Sequence, residues 1–131
     1  MAKQVRDQET QIKRLRVYNI VAGAAHLLQA VGMLVIIAAL DAQAEFGVTA
    51  DYMAGPPGSP IPPERVDLFT VNMGYGLVGF LGLSALFHFL VVTPKFFNRY
   101  KNGLLASRNN FRWTEYSLSA SIMIFLIAQL T

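Results

Sequence analysis

Three long stretches without charge constrain this chain more than any other feature. Residues 17–40 and 69–92 contain no Lys, Arg, Asp or Glu, and residues 113–131 are interrupted by Glu115 alone. A helix needs about 20 mostly apolar residues to cross a bilayer, and runs of 18 or more are typical of such spans. A helix of a soluble bundle would keep a polar face, whereas these runs are apolar nearly all round. We therefore expect an all-α membrane protein with three transmembrane helices, at about 17–40, 69–92 and 113–131.

Charge alternates from one connecting segment to the next. The segment before the first run and the inner loop, residues 93–112, carry an excess of Lys and Arg. The outer loop, residues 41–68, carries five acids and a single base, Arg65. Because Lys and Arg accumulate in cytoplasmic loops, we expect the N-terminus and the inner loop in the cytoplasm and the outer loop outside the cell. This alternation accounts for the net charge of +3, and no nucleic-acid partner is expected.

The connecting segments suggest local structure and exclude some chemistry. The proline-rich centre of the outer loop, AGPPGSPIPP, cannot be helical, and the preceding EFGVTADYM contains β-formers that could make a short extended ribbon. Pro94 is expected to end the second helix, and the aromatic and basic residues after it suit the headgroup region. The chain has no cysteine, and it has neither an HExxH pair nor a nucleophile elbow, so we do not expect an enzyme.

Polar side chains inside the apolar runs are the candidates for function. A carboxylate at the centre of a bilayer costs about 2.5–3.5 kcal/mol, so such groups face a protein interior and commonly mark functional sites. At a rise of ~1.5 Å per residue, the candidates of all three runs fall in the inner half of the bilayer, where a shared pocket is possible. The pairs that share a helix face by their spacing are His26 with Gln29, Ser84 with His88, and Glu115 with Ser119.

Each candidate also has a plainer interpretation. A histidine inside a span can simply hydrogen-bond a neighbouring helix, and Glu115 is near enough to the boundary to extend its carboxylate to the headgroups. His26, His88 and Glu115 could together bind a metal, although no metal site is expected. They could also form the relay of a proton channel or transporter. A three-helix membrane scaffold without a cofactor is the remaining alternative.

Several segments resemble the heliorhodopsins, a family of seven-helix retinal proteins. The block FRWTEYSLSASIMI is similar to the third helix of that family, RLRVYNIVAGAAHLLQA to the first, and LSALFHFLVVTP to the second. The acidic outer loop with its GPPG sequence also fits, and the resemblance covers essentially residues 14–131. It implies helices one to three of a seven-helix rhodopsin-like bundle that senses light, signals rather than pumps, and has its N-terminus inside the cell.

The resemblance also implies a role for individual residues. Glu115, in the RWTEYS block, matches the counterion of the protonated Schiff base that all-trans retinal forms. The proton-accepting polar cluster beside the Schiff base is matched by His26, His88, Ser84 and Gln29. Softer matches to residues that line the retinal are Tyr116, Ser119, Ala120 and Met123.

One departure from the family concerns the lysine that carries the retinal, which lies on the seventh helix. The lysines of this chain all lie in segments expected to be cytoplasmic, namely Lys3, Lys13, Lys95 and Lys101. We therefore expect this chain to be the N-terminal portion of a longer protein, with the attachment lysine and helices four to seven outside it. The partners implied by the family are the lipid bilayer, a second copy that forms a homodimer through the outer loop, and an unidentified signalling partner.

Overall fold

The computed structural model describes residues 2–40 and 44–130, and most of these are helical. The elements are, in chain order, α1 (Ala2–Leu40), β1 (Glu45–Tyr52), β2 (Glu64–Asn72), α2 (Met73–Val92), α3 (Pro94–Leu105) and α4 (Asn110–Ala128). Two parts of the predicted segments lie outside the described residues. These are the start of the outer loop, residues 41–43, and the end of the third apolar run, Thr131.

Two helices have the length and composition of membrane spans. Among the described residues these are Thr10–Leu40 and Met73–Val92. In each helix, only 17% of an apolar stretch of 18 residues is buried inside the protein. Large apolar side chains such as Leu28, which is 74% exposed, therefore face outward. Exposed apolar surface of this extent is unfavourable in water and suits contact with lipid. The third predicted span corresponds to α4, whose first half is less apolar because it carries Arg112 and Glu115.

Helix α2 packs against both α1 and α4 and runs antiparallel to each. Gly23 of α1 lies against His88 near the end of α2, whereas Ile37 of α1 lies against Gly74 near its start. The contacts of α2 with α4 follow the same reversed order, with Gly76 against Leu126 and Ser84 against Glu115. The β-strands therefore lie at one end of the helices and α3 lies at the other.

The expectation of an all-α fold is wrong for the outer loop, which forms an antiparallel hairpin. Strands β1 and β2 pair from Glu45 with Asn72 to Tyr52 with Glu64, with one irregularity after Val48. The proline-rich segment between the strands cannot form a helix, and the flanking β-branched and aromatic residues favour extended pairing. The possible ribbon suggested by EFGVTADYM is thus present as β1.

The same hairpin corrects the start of the second predicted span. Residues 69–72 were expected in the span, but they pair with β1, and α2 begins only at Met73. The side chain of Asn72 caps the new helix by accepting hydrogen bonds from the backbone nitrogens of Gly74 and Tyr75, at 2.9 and 3.4 Å. Such a cap satisfies backbone donors that have no partner within the helix.

The inner segment is also more regular than expected. Helix α2 ends at Val92, as predicted from Pro94, but Pro94 then opens α3, which extends to Leu105. Proline is well tolerated in the first turn of a helix because its missing N–H would have no partner there. The helix presents an apolar face on which Tyr100 is buried, and the rings of Phe96 and Tyr100 pack edge-on against Phe111 of α4.

Candidate functional site

A cavity of about 260 Å³, lined by both polar and aromatic residues, lies where α1, α2, α3 and α4 meet. Its polar lining comes from every one of these helices, and it includes most of the residues selected from the sequence. Phe80, Phe87 and Phe111 form part of its apolar wall. The principal polar residues of the lining are Asn19, His26, Ser84, His88, Glu115 and Ser119.

Glu115 points toward α2 and not toward the headgroups. The hydroxyl of Ser84 donates a hydrogen bond of 2.8 Å to Oε1 of Glu115, and Ser84 itself is only 6% exposed. A hydrogen bond to an ionised acceptor is stronger than one between neutral groups. The contact therefore holds the carboxylate inside the cavity, and the snorkelling interpretation of Glu115 is not what the structure shows.

His26 and His88 lie face to face across the boundary between α1 and α2. Their ring centroids are 5.6 Å apart and the ring planes differ by 15°. Nδ1 of His88 lies 2.9 Å from Oδ1 of Asn19, whereas Nδ1 of His26 is buried and has no hydrogen-bond partner among the described residues. A buried polar nitrogen without a partner is costly, and such groups tend to occur at sites that bind or react.

The sequence of α1 explains how the two histidines come together. Asn19, Gly23, Ala30 and Ile37 are buried, and they recur at spacings of four and seven residues along one side of the helix. The absence of a side chain at Gly23 matters most, because a Cβ there would lie 3.1 Å from the Cβ of His88. The close approach of the helices at Gly23 leaves His26, less than one turn later, within stacking distance of His88.

Asn19 and Tyr100 line the site, but neither was assigned a role from the sequence. Asn19 lies near the start of the first apolar run, and Tyr100 lies in a segment that was expected to be a loop. Both are 8% exposed, and the Tyr100 hydroxyl lies 3.5 Å from Nδ2 of Asn19. The spacing of seven residues between Asn19 and His26 could have placed Asn19 on the same face, but no sequence signal indicated Tyr100.

Arg112 and Tyr116 form the edge of the cavity on α4. The guanidinium of Arg112 lies 4.8 Å from the centre of the Tyr116 ring and donates a hydrogen bond to the Tyr116 hydroxyl. Both residues are exposed on one side and line the cavity on the other. This contact occupies the guanidinium of Arg112, which is the base nearest to Glu115 in the sequence.

The remaining predicted site residues divide between the cavity and the outer surface. Tyr116 and Ser119 line the cavity, and their contact with retinal stays a prediction. Gln29, Ala120 and Met123 lie on exposed faces outside its lining, so their predicted roles stay predictions. In the part of the chain that the structure describes, no group of three or more His, Cys, Asp or Glu side chains could hold a metal ion.

Comparison with known proteins identifies the family of this chain. No curated protein matches it. The family model described as heliorhodopsin matches residues 15–131, which include the cavity and the hairpin together with all four helices from residue 15 onward. The match confirms the resemblance seen in the RWTEYS block and in the segments around His26 and His88. The chain belongs to the heliorhodopsin family.

Proposed function

We propose that this protein is a light-sensing, retinal-binding membrane protein in which Glu115 is the counterion of the chromophore and His26 and His88 accept its proton. The observation that carries the proposal is the hydrogen bond from Ser84 to Glu115 in a cavity shared with the two histidines. Membership of a family of retinal proteins supports the same assignment, because a carboxylate and two imidazole rings then line one cavity.

The residues present fit the polar end of such a chromophore. Bound all-trans retinal would supply a light-absorbing cation, the protonated Schiff base formed with a lysine. The cavity offers a carboxylate for that cation, aromatic walls, and a buried nitrogen of His26 that has no hydrogen-bond partner in the described part of the chain. The lysines whose side chains the structure describes, Lys13, Lys95 and Lys101, are not part of its lining. We propose that helices four to seven of the same protein supply the attachment lysine and close the site.

Glu115 and Ser84 would stabilise a positive charge in this cavity. At an effective dielectric constant of 20, a unit cation 4 Å from the carboxylate is stabilised by about 4 kcal/mol. The hydroxyl of Ser84 occupies one carboxylate oxygen and leaves the other lone pairs available. The carboxylate is therefore oriented before any cation binds, which reduces the cost of reorganisation.

The two histidines are suited to accept one proton as a pair. A neutral imidazole has one nitrogen with a free lone pair, and it can take up a proton at physiological pH. Two imidazolium rings 5.6 Å apart would repel each other by about 3 kcal/mol at an effective dielectric constant of 20. Repulsion of this size opposes the protonation of both rings at once. This proton uptake fits a signalling cycle in which charge moves inside the protein, and we propose signalling over pumping.

The fold supports the topology proposed from charge. The hairpin carries four of the eight acidic residues of the chain. It lies at the opposite end of the helices from α3, which carries Lys95, Arg99 and Lys101. We propose that α4 is the third transmembrane helix, that the N-terminus and α3 are cytoplasmic and that the hairpin is extracellular. A homodimer through the hairpin and an unidentified signalling partner remain part of the proposal.

Reconstitution with retinal tests the function directly. The complete gene product, purified in membranes and incubated with all-trans retinal, should develop a visible absorption band. Glu115→Gln should shift that band, because the charge facing the cation is removed. Glu64→Gln, which changes an exposed carboxylate of the hairpin, should leave it unchanged. The absence of a band, or equal spectra for all three proteins, would refute the assignment. Light-gated currents under voltage clamp would instead support a channel or transporter.

A further inference from the structure

Asn19 makes two hydrogen bonds that fix the orientation of its side-chain amide. Nδ2 donates to the backbone oxygen of Leu15 at 2.8 Å, and Oδ1 lies 2.9 Å from Nδ1 of His88. The residue is buried on the face of α1 that packs against α2. Its amide therefore joins the backbone of one helix to a histidine of the next.

The chemistry of these partners determines which nitrogen of His88 carries a proton. A backbone carbonyl only accepts hydrogen bonds, so the nitrogen of the Asn19 amide must face Leu15 and the oxygen must face His88. An amide oxygen is also only an acceptor, so the bond to His88 requires a hydrogen on Nδ1. In the neutral ring the lone pair then lies on Nε2. Reversing the amide would set its oxygen against the Leu15 carbonyl, which is repulsive.

We propose that Asn19 is a positioning residue that holds neutral His88 with its proton on Nδ1 and makes Nε2 the atom that accepts the proton. The proposal rests on the proposed function, in which His88 receives a proton after illumination. The protonated Schiff base would lose its N–H bond and become neutral, and Nε2 would gain that proton, so that His88 would become an imidazolium with hydrogens on both nitrogens. Asn19 keeps its bond to Nδ1, which is now charge-assisted and stronger.

Tyr100 supports the amide from α3. Its hydroxyl lies 3.5 Å from Nδ2 of Asn19, which is at the long limit for a hydrogen bond. The shorter bond to the Leu15 carbonyl is therefore the main restraint on the amide. Tyr100→Phe should leave the tautomer of His88 unchanged, whereas substitutions of Asn19 should alter it.

Nitrogen-15 NMR of the histidine rings tests this proposal without any chromophore. In the full-length protein in nanodiscs, His88 is assigned through its neighbours Phe87 and Phe89, and protonated and unprotonated ring nitrogens are distinguished by chemical shift. The wild-type neutral ring should show a protonated Nδ1 and an unprotonated Nε2. In Asn19→Leu, the ratio of the two tautomers should fall about tenfold, the effect of losing one buried hydrogen bond.

Two further variants separate positioning from a general effect on structure. Asn19→Asp keeps an acceptor opposite Nδ1 and should retain the proton there, and Asn98→Leu, at an exposed position of α3, should have no effect. A wild-type ring with its proton on Nε2 would overturn the proposal even if no variant folds. An unchanged ratio in Asn19→Leu would also overturn it. The ring measurement does not depend on a visible band, so failure of the retinal assignment is detected separately.

Discussion

Gly23 lies where α1 packs directly onto His88, and its replacement by alanine tests whether this contact sets the geometry of the site. A Cβ at this position would lie 3.1 Å from the Cβ of His88 and 3.1 Å from Cε1 of Phe89. The Phe89 ring can turn away, but the Cβ of His88 is fixed to the backbone. The helices must therefore move apart by a few tenths of an ångström. Asn19, one turn earlier, then loses part of its 2.9 Å contact with His88.

The expected cost follows from two opposing effects. Adding a methyl group to a packed interface costs about 1–3 kcal/mol, while replacing glycine by alanine inside a helix stabilises it by about 0.8–1 kcal/mol. Gly32→Ala isolates the second effect, because Gly32 is in the same helix and a Cβ there would meet nothing within 4 Å. The two variants should therefore differ by about 1–3 kcal/mol, or roughly 5- to 150-fold in the unfolding equilibrium constant.

The measurement is reversible unfolding of the full-length protein in mixed micelles, followed by far-ultraviolet circular dichroism as the fraction of denaturing detergent rises. Gly23→Ala should unfold at a lower fraction than Gly32→Ala. The His88 ring resonances should also move in Gly23→Ala and stay in place in Gly32→Ala. Equal stability of the two variants, within about 0.5 kcal/mol, would show that α1 and α2 do not approach each other at Gly23 as described.

Two further predictions concern the hairpin and its junction with α2. The hydrogen bond from Arg65 lowers the pKa of Asp51, so the pairing of these side chains is complete above the ordinary carboxyl pKa and is lost as the pH falls through the lowered value. The protection of the hairpin amides against hydrogen exchange, relative to the intrinsic rate at each pH, should thus decrease below about pH 4. Arg65→Gln should remove that added pH dependence, and an unchanged profile would contradict the pairing. Asn72→Ala should cost about 0.5–2 kcal/mol through loss of the α2 cap, measured in the same unfolding assay, whereas Asn98→Ala at an exposed site should cost far less.

The apolar runs predicted where α1 and α2 lie, but they could not predict where α2 begins. The residues immediately before Met73 are β-branched, aromatic or polar, and they fit either a membrane helix or a strand. They form a strand because they pair with β1, which lies about 25 positions earlier in the sequence. A hydropathy pattern carries no information about such a distant partner. Helix α3, which begins at Pro94, was not predicted for a related reason, because its polar and aromatic residues also suit an irregular loop in the headgroup region.

Residue type and spacing were sufficient to select His26, Ser84, His88 and Glu115, all of which line one cavity. They did not predict that Gln29 lies outside the lining of this cavity. Three residues along a helix is a rotation of about 300°, so His26 and Gln29 are near neighbours, yet Gln29 falls on the exposed side of the narrow contact with α2. The partner helix determines which residues of a polar helix face become buried. The sequence of α1 alone therefore does not predict whether Gln29 is buried or exposed.

One turn of α2 makes side-chain hydrogen bonds to both neighbouring helices. Ser84 bonds to Glu115 of α4, and His88, four residues later, bonds to Asn19 of α1. Lipid chains are as apolar as the helices, so association in a bilayer depends on close packing and on hydrogen bonds between helices. The contacts that would stabilise this bundle are thus the same ones that would orient the counterion and the proton acceptor. Loss of function after deleting either side chain therefore cannot separate these roles, whereas variants that keep the hydrogen bond but change the charge or the tautomer can.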